Sequence, residues 1–354
     1  MKSNEIHLIG GGKKRIEWID TAKGFCILFV ILQHASLAVG CDYPLSREMI
    51  TLRMPLYFLL SGLFFKTYSG FFDFFIKKIN KLVVPYIFWY VTLGVIIPVG
   101  VWEIFNFQIT GYDFYGLSGV LFIFSEEVIV NSAIWFLWCL FLVNIIFYTL
   151  NIITQKDSKK LILLSFIIGG IGLMLSIFKI DIPYYLDTAL SATPIFCFGW
   201  YLRKHTGFLE LEYSTKKSIL ILVLIFVYFF LLHYASNGSL FWRLNYFGGY
   251  KGCLIVYPLG IIGTLAILSI SRIVGLLPIV SYLGRYSIIV LCTHAYCINA
   301  LTGILSNHLT NKPLILFLVF ILTSFISIPV IALCKKYLPW FTAQKDLINV
   351  KKIN

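Results

Sequence analysis

Charge is what this sequence has least of. Only 13% of its 354 residues are Asp, Glu, Lys or Arg, while 59% are hydrophobic; soluble domains carry about 25% charged residues. With a mean hydropathy of +0.87, the chain is not an ordinary soluble enzyme. Carboxylates are scarcest, 16 against 29 basic residues, and no basic stretch has the form of a nucleic-acid module, so no nucleic-acid partner is expected. The 8 cysteines include no CxxC pair, which argues against a zinc site or thiol redox chemistry, and no metal is expected. Internal repeats, low-complexity runs and a soluble appendage are also missing.

What is present is a series of apolar runs of 17 residues or more, long enough to cross a bilayer as helices. The runs fall at about 24–40, 54–72, 83–101, 133–153, 161–178, 186–202, 218–234, 254–271, 279–300 and 314–334. They predict an all-α, polytopic integral membrane protein of about ten transmembrane helices. It is read as a single transmembrane domain over 1–354, with a short leader (1–22) and a short basic, solvated tail (335–354). Of the 29 basic residues, only Arg47, Arg53, Lys179, Arg243, Lys251 and Lys312 fall off one side of this map. The positive-inside rule then places both termini in the cytoplasm and the chain in the cell's inner (cytoplasmic) membrane, with lipid as its first partner. Lys13, Lys14 and Arg15 resemble the start of a cleaved leader, but nine further spans fit a retained anchor better. On the far side, 102–132 carries Glu103, Asp113, Glu126 and Glu127 without a lysine or arginine. The aromatic, Asn and Gly content of 235–252 suits either an interfacial aromatic belt or stacking on sugar rings.

Three features are candidates for chemistry. Lys23 and His34 are eleven residues apart, about three helical turns, which puts them on one stripe of the first span about 16 Å apart. An ionisable group within a span is costly, and so is by default a functional candidate; the alternative is a histidine satisfied by a neighbouring helix. Second, the run from Arg53 through Ser61-Gly62 descends from the far side, bringing Ser61 to a depth similar to that of His34. Histidine near its ordinary pKa can act as a general base, although Ser-Gly within a span is also ordinary helix-packing sequence. Third, Lys78 and Lys81 are three residues apart ahead of Pro85-Tyr86, and on a helix they would form a cationic patch able to hold phosphates. Positive-inside bias alone gives the same residues. His294, in the ninth span with Arg285 near its inner end, is expected at a depth comparable to His34.

The ordered set resembles the acyltransferase 3 family of membrane O-acyltransferases, in particular its fucose 4-O-acetylase-like branch. The matching residues are Trp18-Ile-Asp20-x-x-Lys23-Gly24 leading to His34, then Met54-Pro55 through Ser61-Gly62. Lys78-x-x-Lys81 before Pro85-Tyr86, Trp135-Phe136-Leu137, and Leu283-Gly284-x-x-Ser287 before His294 complete it. The resemblance implies transfer of an acyl group, usually acetyl from cytoplasmic acetyl-CoA, to a hydroxyl of an extracytoplasmic or lipid-linked glycan. Acetyl-CoA would be a consumed donor, with no permanently bound cofactor. His34 and Lys23 map onto the family's essential first-span residues, and Lys78 and Lys81, with Lys23, onto its phosphate-holding cations. Arg53, Ser61 and His294 are then candidates for lining the acceptor's path. Lysine stands where the family majority has arginine at 23, 78 and 81, which keeps the charge and loses the bidentate fork. Two other functions are compatible with the sequence: a non-catalytic transporter or flippase for a lipid-linked sugar or surface polysaccharide, and a polymerase using a lipid-linked donor.

Overall fold

A computed structural model of the chain describes residues 16–44, 46–97, 132–209, 215–236 and 240–349, together with Gly100 and Ile123. Lys2, Lys13, Lys14 and Arg15 of the leader, Lys351 and Lys352 of the tail, and the four carboxylates of the 102–132 segment lie outside the described residues.

The described residues form helices α1 (Glu17–Val39), α2 (Ser46–Leu63), α3 (Phe71–Ile96), α4 (Trp135–Ile153), α5 (Ser158–Phe178), α6 (Leu186–His205), α7 (Thr215–Ser236), α8 (Tyr250–Val274), α9 (Pro278–Arg285), α10 (Ser287–Ser306) and α11 (Lys312–Tyr337). Among them, α1, α3, α4, α5, α8, α10 and α11 are long and apolar enough to cross a bilayer. The chain is a helical, multi-pass membrane protein. Shorter apolar stretches, Met49–Leu63 and Ile219–Leu232, lie in α2 and α7, and α6 mixes apolar residues with Asp187, Ser191, Thr193 and Arg203. Local signals set several ends. The Asp157 carboxylate accepts from the Lys159 and Lys160 amides to start α5, Asn311 caps α11 ahead of Pro313, and α1 stops at Gly40 with φ 63°.

Four expected spans differ from the structure. The first begins at Glu17 instead of 24, so the last residues of the expected leader are helical. The second begins at Ser46 instead of 54 and ends at Leu63, because Arg53 lies within the helix and does not flank it. The third starts at Phe71, so Lys77, Lys78 and Lys81 sit on a helix and not in a loop. Within it, Pro85 has no N–H to offer the Lys81 carbonyl. The preceding turn widens into a π segment, Ile79–Val83, in which the Val84 amide reaches back five residues to the Ile79 carbonyl. The ninth divides at Tyr286 (φ −113°, ψ 28°) into α9 and α10.

Helix α1 is the hub, packing on α2, α8, α9, α10 and α11. Its contact with α9 is backbone on backbone: a methyl group on Gly24 would overlap the Val280 carbonyl, and one on Gly284 would overlap the Asp20 carbonyl. Small residues permit such approach where helices gain little from hydrophobic burial. The Thr21 hydroxyl reinforces it, 2.7 Å from both the Gly275 carbonyl and Ser281 Oγ. At one end of the bundle, Arg272 stacks on Trp18 at 4.3 Å and donates to the Phe208 and Leu209 carbonyls.

The aromatic residues of 235–252 divide over its described part: Phe241, Tyr246 and Tyr250 are exposed, as either expected reading requires, and the others turn inward. Trp242 and Phe247 are buried and meet edge to face, while Asn245 bridges Ser191 Oγ and the Gly172 carbonyl. The segment closes the bundle's other end. The eight cysteines are free.

Candidate active site

Lys23 of α1, Ser61 of α2, Lys78 and Lys81 of α3 and Arg285 of α9 line one cavity of about 450 Å³. No carboxylate lines it among the described residues. Two of the ammonium groups lie over aromatic rings, Lys23 Nζ 5.8 Å from the Phe64 centroid and Lys78 Nζ 5.5 Å from that of Phe74, where the ring faces attract the cations. The π turn sets the relative bearing of Lys78 and Lys81. Arg285 is the one guanidinium of the lining among the described residues, and it supplies a bidentate fork that the three lysines lack. Tyr57 of α2 and Ser287, Ile288 and Leu291 of α10 also line the cavity.

The mouth has a further wall. Residues 338–349, expected to be a solvated tail, fold back onto α3. The Asn80 side chain is fully buried. Its Nδ2 donates to the Ile348 carbonyl, and its Oδ1 accepts from the Leu347 and Ile348 amides, all at 2.8 Å. Phe341 stacks on Phe88 at 4.0 Å, and the Trp89 indole donates to the Phe341 carbonyl. Asp346 meets Lys77 at 2.6 Å and Lys81 at 3.1 Å, Lys81 also donates to the Ala343 carbonyl, and Ala343 and Gln344 line the cavity. The Lys77 ammonium, then Lys81, hold the Asp346 carboxyl below the usual carboxylate range. A depressed carboxyl pKa stabilises docking above the ordinary Asp value of about 3.9, and the contribution is lost as pH falls through the lowered one. Exposed ion pairs are worth about 0–1 kcal/mol, and the Asn80 bonds do not titrate. Amide exchange across 341–349 should therefore rise only severalfold on acidification, while Asn80→Ala, which removes the buried clamp, should release the segment at neutral pH.

Deeper in, the structure brings His34 and His294 together, with ring centroids 5.1 Å apart and planes at 67°. His34 is half-buried and His294 fully buried. Nδ1 of His294 lies 2.9 Å from the Val290 carbonyl; a carbonyl only accepts, so Nδ1 carries the proton and Nε2 the lone pair. That Nε2 is buried without a hydrogen-bond partner. Arg53 lies within electrostatic reach of both rings, and its buried Nε also has no hydrogen-bond partner. Tyr57 lines the cavity, and its hydroxyl donates to the Lys23 carbonyl at 3.4 Å. Leu291 lines the cavity and His294 is one turn further along α10, about 4.5 Å of helix rise.

The sequence candidates thus separate into two groups. Lys23, Lys78, Lys81 and Ser61 share the cavity, whereas His34, His294 and Arg53 share the deeper cluster. The expected level of Ser61 is corrected: Tyr57 faces the Lys23 carbonyl and Cys26 faces that of Arg53, so Ser61 lies beyond Lys23 and about 20 Å of helix from His34. The early start of α2 is the cause, since depth counted from residue 54 misplaces everything after it. Sequence reasoning left Arg285 without a site role and missed Tyr57 and the docked tail. The cue for Arg285 was its place beside Gly284-x-x-Ser287; nothing local in the sequence marks the tail's partners.

A chain that crosses the membrane several times, with a cationic cavity at one end leading toward a histidine pair, has the makings of a membrane transferase. The model of one protein family, described as an acyltransferase domain (acyltransferase 3), matches residues 16–334. The chain belongs to that family and is a membrane acyltransferase. No curated protein and no solved structure matches it.

Proposed function

We propose that the protein is an O-acetyltransferase of the cell's inner membrane, moving acetyl from cytoplasmic acetyl-CoA to a hydroxyl of an extracytoplasmic or lipid-linked glycan. The observation that carries this is a cavity lined by four cations and, among the described residues, no carboxylate, whose lining residue Leu291 is one helical turn from the paired imidazoles. Lys23, Lys78, Lys81 and Arg285 suit the phosphates of CoA. The pantetheine arm is a long chain, and it would carry the thioester past Tyr57 and Leu291 toward His34. There His34 takes the proton of the acceptor hydroxyl as its oxygen attacks the thioester carbonyl. The carbon–sulfur bond breaks, the acetyl ester forms, and the proton passes to the CoA thiolate. Arg53 is placed to stabilise charge developing on the carbonyl oxygen. Ser61, on the cavity wall, faces the donor and not the acceptor.

This proposal expects CoA to raise the melting temperature of the purified protein. Lys78→Ala/Lys81→Ala should weaken CoA binding at least about tenfold, a loss of about 1.4 kcal/mol. A wild type that CoA does not stabilise, or a double variant with an undiminished shift, would remove the donor assignment.

A further inference from the structure

We infer that His294 binds the acyl acceptor through a second hydroxyl, next to the one that is acylated, so the acceptor is a sugar bearing a free neighbouring hydroxyl. The inference rests on the proposed function and adds a substrate class to it. Its basis is the unspent lone pair of His294. Donation from Nδ1 to the Val290 carbonyl, 2.9 Å away, fixes the tautomer, and Nε2 lies fully buried without a partner. Buried polar atoms are almost always satisfied, and an exception calls for a reason. His34 does not supply one: the rings meet edge to face at 67° with centroids 5.1 Å apart, and no hydrogen bond joins them. The hydroxyl that attacks the thioester has a single proton, and His34 takes it. A second acceptor nitrogen beside His34 therefore calls for a second donor on the same molecule, which adjacent sugar hydroxyls provide.

Two substitutions separate this role from packing. Glutamine at 294 keeps an acceptor oxygen near the place of Nε2, whereas asparagine keeps only the amide that mimics Nδ1–H on Val290. With His34→Ala as the control, base-labile acetyl on the surface glycan is measured in cells expressing each variant at equal protein level. His294→Gln is expected to retain acetylation within about tenfold of wild type, and His294→Asn to lose more than that. CoA stabilisation should be unchanged in both. Asparagine supporting full acetylation would overturn the inference, since the Val290 bond alone would then account for the residue. NMR of the wild-type glycan gives an independent readout: the acetylated carbon should adjoin one bearing a free hydroxyl, and acetyl found only between substituted positions would also overturn it. Acetylation that survives His34→Ala would instead sink the proposed function.

A different observation, at the cavity mouth, carries a second proposal. We propose, resting on the proposed function, that the Asp346 carboxylate, tied to Lys77 beside the mouth, holds the place of a donor phosphate on Lys81 of the cavity and sets donor affinity by competing for it. It lies 2.6 and 3.1 Å from the two ammonium groups, in a segment outside the residues 16–334 that the family shares. Asn80, Trp89 and Phe88 hold that segment without it, so Asp346→Asn removes the competing charge, leaving Lys81 on the neutral Ala343 carbonyl, while the tail stays docked. CoA titrated into the purified full chain should bind Asp346→Asn at least threefold tighter than wild type, and pyrophosphate should show the same order. Equal or weaker binding of both would overturn the proposal and leave Asp346 as a tie for the tail. Absence of CoA binding to either protein would count against the donor assignment itself.

Discussion

Replacing His34 by alanine should lower acetylation of the surface glycan by at least a hundredfold, with the protein still present in the membrane at its normal level. General-base assistance is typically worth about 10²–10⁴ in rate, and His34 is the half-buried member of the pair, on the same helix as Lys23 of the donor cavity. Folding should tolerate the change, because no hydrogen bond ties the His34 ring to its surroundings among the described residues, and alanine suits a helix interior. CoA stabilisation should also persist, since His34 does not line the cavity. The measurement is base-released acetate per glycan repeat, alongside the amount of glycan exported. A variant that exports less glycan at unchanged acetyl content per repeat would point to the transporter function instead.

Gly24→Val should be as damaging for a different reason. The α1–α9 contact leaves no room for a side chain, because a Cβ on Gly24 would overlap the Val280 carbonyl, and Gly284, one turn further along α9, lies as close to the Gly24 backbone. Overpacking typically costs about 1–3 kcal/mol, and backbone atoms cannot rotate away as side chains do. A loss at the top of that range, about 3 kcal/mol or more, is expected. It should appear as a lower melting temperature in detergent and less protein in the membrane. Gly303→Ala is the matched control: it lies on α10 with nothing near its Cβ position, and should be neutral or gain up to about 1 kcal/mol in helix propensity. Equal stability of the Gly24 variant and this control would mean that α1 and α9 are not packed as described.

Much of this was legible in the residues. Apolar runs give most of the helices, and eleven-residue spacing puts Lys23 and His34 on one stripe of α1. Matching depth anticipates that His34 and His294 lie close, although nothing in either span says that the rings touch. What failed had nonlocal causes. Arg53 reads as the flank of a span because a guanidinium in hydrocarbon is costly, yet α2 carries it inside the bundle beside Tyr43 and Cys26. Polar residues interrupt the ninth run, but nothing at Tyr286 itself marks the break, which follows from Gly284 being held against the α1 backbone two residues earlier. Pro85 did signal the widened turn before it, but only to a reader asking which carbonyl it leaves unserved. The docked tail rests on Asn80, Trp89 and Phe341, residues more than 250 positions apart in places, and no periodicity reports such a pairing.

The central claim is that one chain joins a cytoplasmic thioester to an alcohol on the opposite side through a histidine within the membrane. The most direct measurement uses sealed, inverted membrane vesicles carrying this protein and its native glycan, with radiolabelled acetyl-CoA added outside, on what was the cytoplasmic face. Label should appear as base-labile acetyl on glycan enclosed in the lumen, and His34→Ala vesicles should lack it. Label confined to the outer face, or enclosed label that is equal in His34→Ala vesicles, would contradict the account.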